Sequence, residues 1–468
     1  MKRFLVIAAI VLGVLGLSVG LIWLRLRADR PEALIARLAS ARGADRQELV
    51  LRLGLARGDV TAKLIDAFGA ATAPAFRAEL VDLIFRRNLR EPDERLLALA
   101  RKALTDGAPE VRRTAAYGLV VYGDAKSQRL LADRVADPDP QIRRQVYSLF
   151  AACSWQPEWR DAYKELSDKE REALVAACAA RMKTEPDPET AFLARAVVGL
   201  EVSIRCENAM QALAAGDLPK AKSLMEGALA LDPENKQAQA RFARLHLSAG
   251  DPGAAVATAR KYGALIEIPR LSKPPVIDGD PTDDVWREAY TADAFYLSTS
   301  SHVAKPASGK SRCHIGYRDG RIYIAMLGFE EDTDKLIITK KNRDDEVFRD
   351  DCVELLFNPE NSEKDFVQFI INPLGTLQDI KNHDAKANFK CEAKAGVFKE
   401  RGYWAAEFAI DVSELSPKPI TAQTIWSFNA YRTRIGAASE QDGIWPTYGS
   451  SLRSGLYPLA VFKDAPAP

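Results

Sequence analysis

The residues best able to do chemistry cluster near the C-terminus. Asp344, Asp345 and Glu346 are followed by Asp350, Asp351 and, soon after, Glu354. So many carboxylate oxygens in a short span have the character calcium prefers, and Asp350 and Asp351 are the nearest metal candidates. A solvated acidic loop is the competing reading. Glu354 lies between Val353 and Leu355 in an alternating run. There its carboxylate can accept a hydroxyl, share a cation with a neighbouring carboxylate, or pair with Arg432 or Arg434. Trp445 and Tyr448 fall in a loop with Gly443, Pro446 and Gly449, turn residues that favour exposure and so a binding role for the rings.

Catalytic signatures do not accompany these groups. The sequence contains no G-x-S-x-G, P-loop or H-E-x-x-H motif. Four histidines and six cysteines without a C-x-x-C pair suggest neither a zinc site nor a redox motif. Paired carboxylates alone do not make a glycosidase, whose chemistry needs a defined separation. The expectation is a protein that binds without catalysing. Lys and Arg number 65 against 64 Asp and Glu, for a net charge of +1, so nothing points to a nucleic-acid partner.

The elements around these residues read as strands. Residues 311–318, 321–329, 352–358, 366–372, 403–410, 425–434 and 456–462 alternate apolar and polar side chains. Asp319-Gly320 and Pro373-Leu374-Gly375 are turn signals between them. Short alternating strands with polar turns predict an antiparallel β-sandwich over 266–468, with 266–275 as its linker.

Phrases within this stretch resemble the family 9 carbohydrate-binding modules. Pro275-Val276-Ile277-Asp278-Gly279 with Asp284-Val285-Trp286 is similar to the family's opening phrase. Asp351-Cys352-Val353-Glu354-Leu355-Leu356-Phe357 is similar to its acidic strand. Gln368-Phe369-Ile370-Ile371-Asn372, then Trp404 to Glu407 and Trp426 to Asn429, follow in the family's order. The resemblance implies a sandwich that holds a terminal sugar between two aromatic rings. In such a site the C–H face of the sugar lies on a π-face while directional hydrogen bonds select its hydroxyls. Carried onto this sequence, Phe348 becomes a stacking platform, and Glu354 and Asn372 grip hydroxyls, with Gln368 in the same strand phrase. Trp445 and Tyr448 are the candidates for the second ring. A gripping Arg of the family is replaced by Ile370, which changes the expected ligand.

Upstream, residues 31–265 are rich in Ala, Leu and Arg with apolar residues every three to four positions, the period of amphipathic helices. Asp106, Pro109 and Arg112-Arg113 recur as Asp137, Pro140 and Arg143-Arg144. The Asp and Pro are residues that begin helices, and the pattern resembles HEAT repeats. Gly216, Asp217 and Ala221 recur as Gly250, Asp251 and Ala255, which resembles a tetratricopeptide pair. Stacked helices of this kind make either a groove for a protein partner or a spacer. Residues 4–24 are uncharged and long enough to cross a hydrocarbon core, flanked by Lys2, Arg3, Arg25 and Arg27. The expected organisation is therefore a membrane anchor (1–30), HEAT-like helices (31–200), a tetratricopeptide-like pair (201–265) and a carbohydrate-binding sandwich (266–468). The setting expected is a bacterial inner membrane with the soluble part outside the cytoplasm. The alternative is an envelope scaffold that binds protein through its helices.

Overall fold

The computed structural model describes residues 30–56, 59–88, 94–153, 160–298, 303–363, 365–385, 387–436, 438–447 and 450–465. The apolar run 4–24 lies outside them. Among the described residues no helix is long and apolar enough to cross a membrane. The chain forms two compact units, Met1–Ala194 and Arg195–Pro468.

The first unit is a helical repeat array. Four of its helices, α1 (Gly43–Leu55), α2 (Pro74–Asn88), α3 (Pro109–Tyr122) and α4 (Pro140–Ala152), carry an arginine at their fourth position. These arginines form a ladder. Arg46 pairs with Glu79, Arg77 with Asp106 (2.8 Å), Arg112 with Asp137 (3.1 Å) and Arg143 with Glu185 (2.7 Å). From Arg77 onward each guanidinium also donates to a carbonyl of the loop before its own helix: Thr72, Asp106 and Asp137 respectively. One planar fork thereby binds the start of its own repeat to an acid of the next. This corrects the reading of Asp106 and Asp137 as simple helix caps, because each mainly receives the preceding repeat's arginine. The ladder also reaches α1 and α2, upstream of the recurrence read between Asp106 and Arg144. Val111, Leu119, Ile142 and Phe150 are fully buried, so the apolar stripe of each helix supplies the core between repeats.

The second unit begins within α5 (Pro188–Ala214), followed by α6 (Leu218–Leu231), α7 (Lys236–Ser248) and α8 (Pro252–Tyr262). The repeated Gly-Asp pair has a clear local cause. Gly216 and Gly250 adopt φ of +83° and +79°, a region glycine reaches at no steric cost, and this ends a helix. Asp217 and Asp251 then cap the next one, accepting from the backbone N–H of Lys220 and Ala254.

Leu265–Ile268 follows α8 almost at once as strand β1. It pairs in parallel with β13 (Leu459–Phe462). The linker expected at 266–275 therefore begins with an edge strand, and the helical pair shares a compact unit with the sheets. The remaining strands are β2 (Tyr290–Ala292), β3 (Tyr296–Leu297), β4 (Ser311–Arg318), β5 (Arg321–Phe329), β6 (Cys352–Asn358), β7 (Val367–Ile371), β8 (Leu377–Lys381), β9 (Cys391–Phe398), β10 (Tyr403–Asp411), β11 (Ile425–Arg434) and β12 (Glu440–Gly443). The larger sheet runs β1-β13-β11-β6-β7-β8, with β12 on β11 and β3 on β12; the smaller runs β2-β4-β5-β10-β9. Apart from β1–β13, the pairings are antiparallel.

One core lies between the sheets. Ile315, Ile322, Ile324, Trp404 and Phe408 of the smaller sheet meet Val353, Leu355, Phe357, Phe369 and Phe428 of the larger. Alternation then fixes what the larger sheet shows on its other face, including Glu354, because successive side chains of a strand point to opposite sides. Cys313 belongs to this core while Cys352 packs with Val347 and Ile370 outside it, and Cys313, Cys352 and Cys391 are not joined in disulfides.

Candidate functional site

On β6, Val353, Leu355 and Phe357 face the core, so Glu354 faces outward over the larger sheet. Tyr431 of β11 and Ile370 of β7 flank it in register. Its carboxylate is almost fully buried and meets only neutral donors. Oε2 accepts from Gln368 Nε2 (2.7 Å); Oε1 accepts from Gln441 Nε2 (2.8 Å) and Thr433 Oγ1 (3.0 Å). Burial pushes its carboxyl above the ordinary value, and the three hydrogen bonds only partly offset that. Of the pairings open in the sequence, the one with Arg432 or Arg434 is not made. Arg432 stands opposite Val353, on the other parity of the strand. Both arginines instead pair with Glu330.

Asn372 and Asp350 form a second group. Asp350 Oδ2 accepts from the backbone N–H of Thr339 (2.9 Å) and Lys340 (2.8 Å) and from Asn372 Nδ2 (3.0 Å). Burial would raise the Asp350 carboxyl, but these bonds and that of the Thr339 hydroxyl outweigh it and hold it below the usual carboxylate range. Asn372 also donates to Lys340 O, and its Oδ1 accepts from the N–H of Leu374 and Thr376. Its amide is thus occupied in fixing the turn 373–375, which corrects its assignment as a hydroxyl-gripping residue. Asp351 Oδ2 accepts from the N–H of Ile337 (2.6 Å) and Gly436 (3.1 Å). The calcium candidates are therefore spent as acceptors for backbone donors. Among the described residues no group of three His, Cys, Asp or Glu side chains could hold a metal ion.

The two aromatic expectations divide. Phe348, in the short turn before β6, is 43 % exposed, with the Arg349 guanidinium 5.6 Å from its ring centroid. Trp445 is buried instead. It packs among Ala240 and Ala243 of α7, Ala255 and Ala259 of α8, and Leu459, with Lys236 Nζ 4.7 Å from its ring centroid. Small residues on two helix faces make a flat seat for an indole, so the loop that looked exposed is a docking peg for the helices. Tyr448 lies outside the described residues. Ile370, where the family resemblance calls for Arg, is buried with Val347 and Cys352.

The structure thus brings Glu354 and Gln368 together, adds Thr433 and Gln441, and leaves Trp445 elsewhere. Thr433 is recoverable from its parity on β11, whereas Gln441 comes from the short strand β12, which carries no alternating apolar signal. The phrases that carried the family resemblance have a structural role. Glu407 of the Trp404–Glu407 phrase accepts from the N–H of Asp278 (3.1 Å) and Gly279 (2.9 Å) and from Trp286 Nε1 (2.9 Å). It clamps the opening phrase onto β10. Gly279 has φ +94°, and a Cβ there would meet the Ala395 carbonyl carbon at 2.9 Å. Gly279→Ala is expected to lower stability by about 1–3 kcal/mol, read as a drop in the denaturant midpoint. An unchanged midpoint would show that the backbone of β9 yields.

Comparison with known proteins adds two kinds of observation. Residues 212–264 match the tetratricopeptide-repeat family model, which covers α6–α8. No curated protein matches the chain. Among solved structures, a proposed carbohydrate-binding protein from Bacteroides uniformis aligns at 11 % identity and TM-score 0.34, over 42 % of this chain and 99 % of that one. The karyopherin Kap121p, solved with the SUMO protease Ulp1p, aligns at 14 % identity and TM-score 0.27, over 46 % of this chain and 24 % of its own. The chain thus joins a helical repeat region, ending in a tetratricopeptide repeat, to a C-terminal region of two β-sheets.

Proposed function

We propose that the protein is a non-catalytic carbohydrate-binding protein, anchored in a bacterial inner membrane by residues 4–24 and exposed outside the cytoplasm. In this reading the C-terminal region is a module like those of family 9, with a sugar seated on the outer face of the larger sheet. Phe348 stacks on the sugar ring, and the Glu354 carboxylate with Gln368 and Gln441 reads its hydroxyls. The HEAT-like array serves as a spacer. The observation that carries the reading is a carboxylate facing outward from a sheet among neutral amide and hydroxyl donors, with an exposed ring in the turn leading into its strand. Neutral hydroxyl-bearing ligands suit such a set, since an amide both donates and accepts.

A glycan array with the full chain tests this. Binding is expected, with Glu354→Ala removing it and Phe348→Ala weakening it at least tenfold, about 1.4 kcal/mol. A folded chain that binds no glycan sinks the reading. In that case the scaffold alternative gains weight. It is favoured by Tyr117 and Val121, exposed one turn apart on α3, and a pull-down with the helical array would follow.

A further inference from the structure

The smaller sheet ends on β9, which pairs with β10 on one side only. Among the described residues, no backbone N–H or C=O from Cys391 to Ala395 has a backbone partner outside that pairing. A free sheet edge is a template for another strand, and native chains blunt such edges with short strands, proline, bulges or repelling charge. The other edges follow that rule. β1 has four residues, β2 three and β3 two, and on β8 the Leu377 carbonyl accepts from the Asp344 N–H. β9 has eight residues, no proline and an unbroken register with β10.

Apolar surface is exposed beside this edge. Val397 of β9 is 36 % exposed. Two other segments meet β9 at Ala395: the opening phrase at Gly279, and the turn before β8, where a Cβ on Gly375 would lie 3.9 Å from the Ala395 nitrogen. Val276 and Leu374, near these two glycines in the chain, are 62 % and 57 % exposed.

Charge selects the partner. Cys391, Ala393 and Ala395 pack against the core, so Glu392 and Lys394 point to the outer face, and both are exposed. Lys394 makes no ion pair among the described residues. Glu392 reaches Arg321 only at 3.9 Å, with both side chains well exposed, a contact that contributes little. In a two-fold antiparallel pair of β9 strands, residues that lie opposite each other share a face. With Ala393 opposite its own copy, Glu392 of each chain faces Lys394 of the other, and two opposite-charge cross-strand pairs form. Cys391 then faces Ala395, small residues on the core side. Centring the pair on residue 392 or 394 instead would set like charges opposite each other. We propose that β9 is a self-association edge, through which two copies of this chain pair antiparallel over residues 391–395, centred on Ala393, and join their smaller sheets into one. This surface is on the opposite sheet from Glu354 and does not depend on the carbohydrate reading.

Sedimentation equilibrium of the full chain in an uncharged detergent, over about 1–200 µM, tests this. A reversible monomer–dimer equilibrium is expected. Glu392→Lys or Lys394→Glu alone turns both cross-strand pairs into like-charge pairs and should weaken the dimer by about tenfold or more. Combining Glu392→Lys with Lys394→Glu recreates both attractions in the same register and should return the dimer to within about threefold of the parent. Both positions are exposed, so the fold does not depend on them, and the double variant separates charge pairing from any loss of structure. The proposal is overturned by a chain that stays monomeric at about 200 µM, or by a double variant that associates as weakly as the single ones. A dimer equally strong in parent and single variants also overturns it, and would place the association elsewhere, with the apolar run 4–24 as the first candidate.

Discussion

Arg244→Ala should destabilise the second unit by about 3–5 kcal/mol, as expected when a buried charged group is stripped from the acceptors that hold it. Arg244 projects from α7 and is 1 % exposed. Its Nη1 donates to the carbonyls of Asn361 (2.7 Å) and Ser362 (3.0 Å); Nη2 donates to Ser427 Oγ (2.8 Å) and Ser454 O (2.9 Å). Burial pushes the guanidinium down to about 10, so it remains charged at neutral pH. Among the described residues no carboxylate is hydrogen-bonded to it; three loop carbonyls and a hydroxyl carry the charge. Alanine would leave those acceptors in a dry interior with a cavity beside them, and both terms are unfavourable. Arg244→Lys should recover only part of the loss, because one ammonium has three donors on a single atom and cannot span four acceptors. The unfolding transition of the full chain, followed by tryptophan fluorescence in denaturant, reads the effect. A loss below about 1 kcal/mol for the alanine variant would show that α7 is held by the Trp445 seat alone.

This contact also shows where sequence reading stops. The strands were legible because alternation and turn residues are local signals, and the Gly-Asp pairs of α6 and α8 were legible for the same reason. The arginine ladder was half visible: Pro109 with Arg112 and Pro140 with Arg143 repeat plainly, but Gly43 with Arg46 does not share the proline. Arg244 gave no sign, since an arginine on an Ala-rich helix reads as solvent-facing until another part of the chain covers it. Trp445 failed in the same manner. Gly443 and Pro446 describe the bend of its loop, while its burial is decided by alanines of α7 and α8 far earlier in the chain. The phrases behind the family resemblance stand in order along the sequence. Glu407, Gly279 and Trp286 show that much of that pattern serves to assemble the sheet. Glu354 and Gln368, named as candidates from the sequence, are hydrogen-bonded to each other, while Asn372 was assigned by resemblance to a task its turn already occupies.

Stability of the second unit should fall as pH rises from about 4 to 7, and Asp442→Asn should remove a large share of that fall. Asp442 of β12 is fully buried, beside Arg432 in register, and neither carboxylate oxygen has a hydrogen-bond partner. Burial is the main force on it. The charges of Arg432 and Arg434 pull its pKa down, those of Glu440 and Glu330 push it up, and the balance is a carboxyl raised to about 7. An unfolded aspartate titrates near 3.9. Below about pH 4 both states hold the proton and the contribution to stability is complete. Between about 4 and 7 only the folded state holds it, so unfolding releases a proton and stability declines by about 1.4 kcal/mol per pH unit. Above pH 7 the contribution is gone, a total of about 4 kcal/mol. Asparagine has nearly the same shape and never ionises. The variant should therefore match the parent near pH 4 and exceed its stability by several kcal/mol, on the order of 3–4, near pH 8. Glu354, Glu407, Asp351 and Asp379 are also raised by burial and tilt both proteins the same way. They cancel in the difference, so the comparison isolates Asp442. A stability gap between variant and parent that stays constant from pH 4 to pH 8 would mean that Asp442 is ionised throughout, held by Arg432 and Arg434 more strongly than burial opposes.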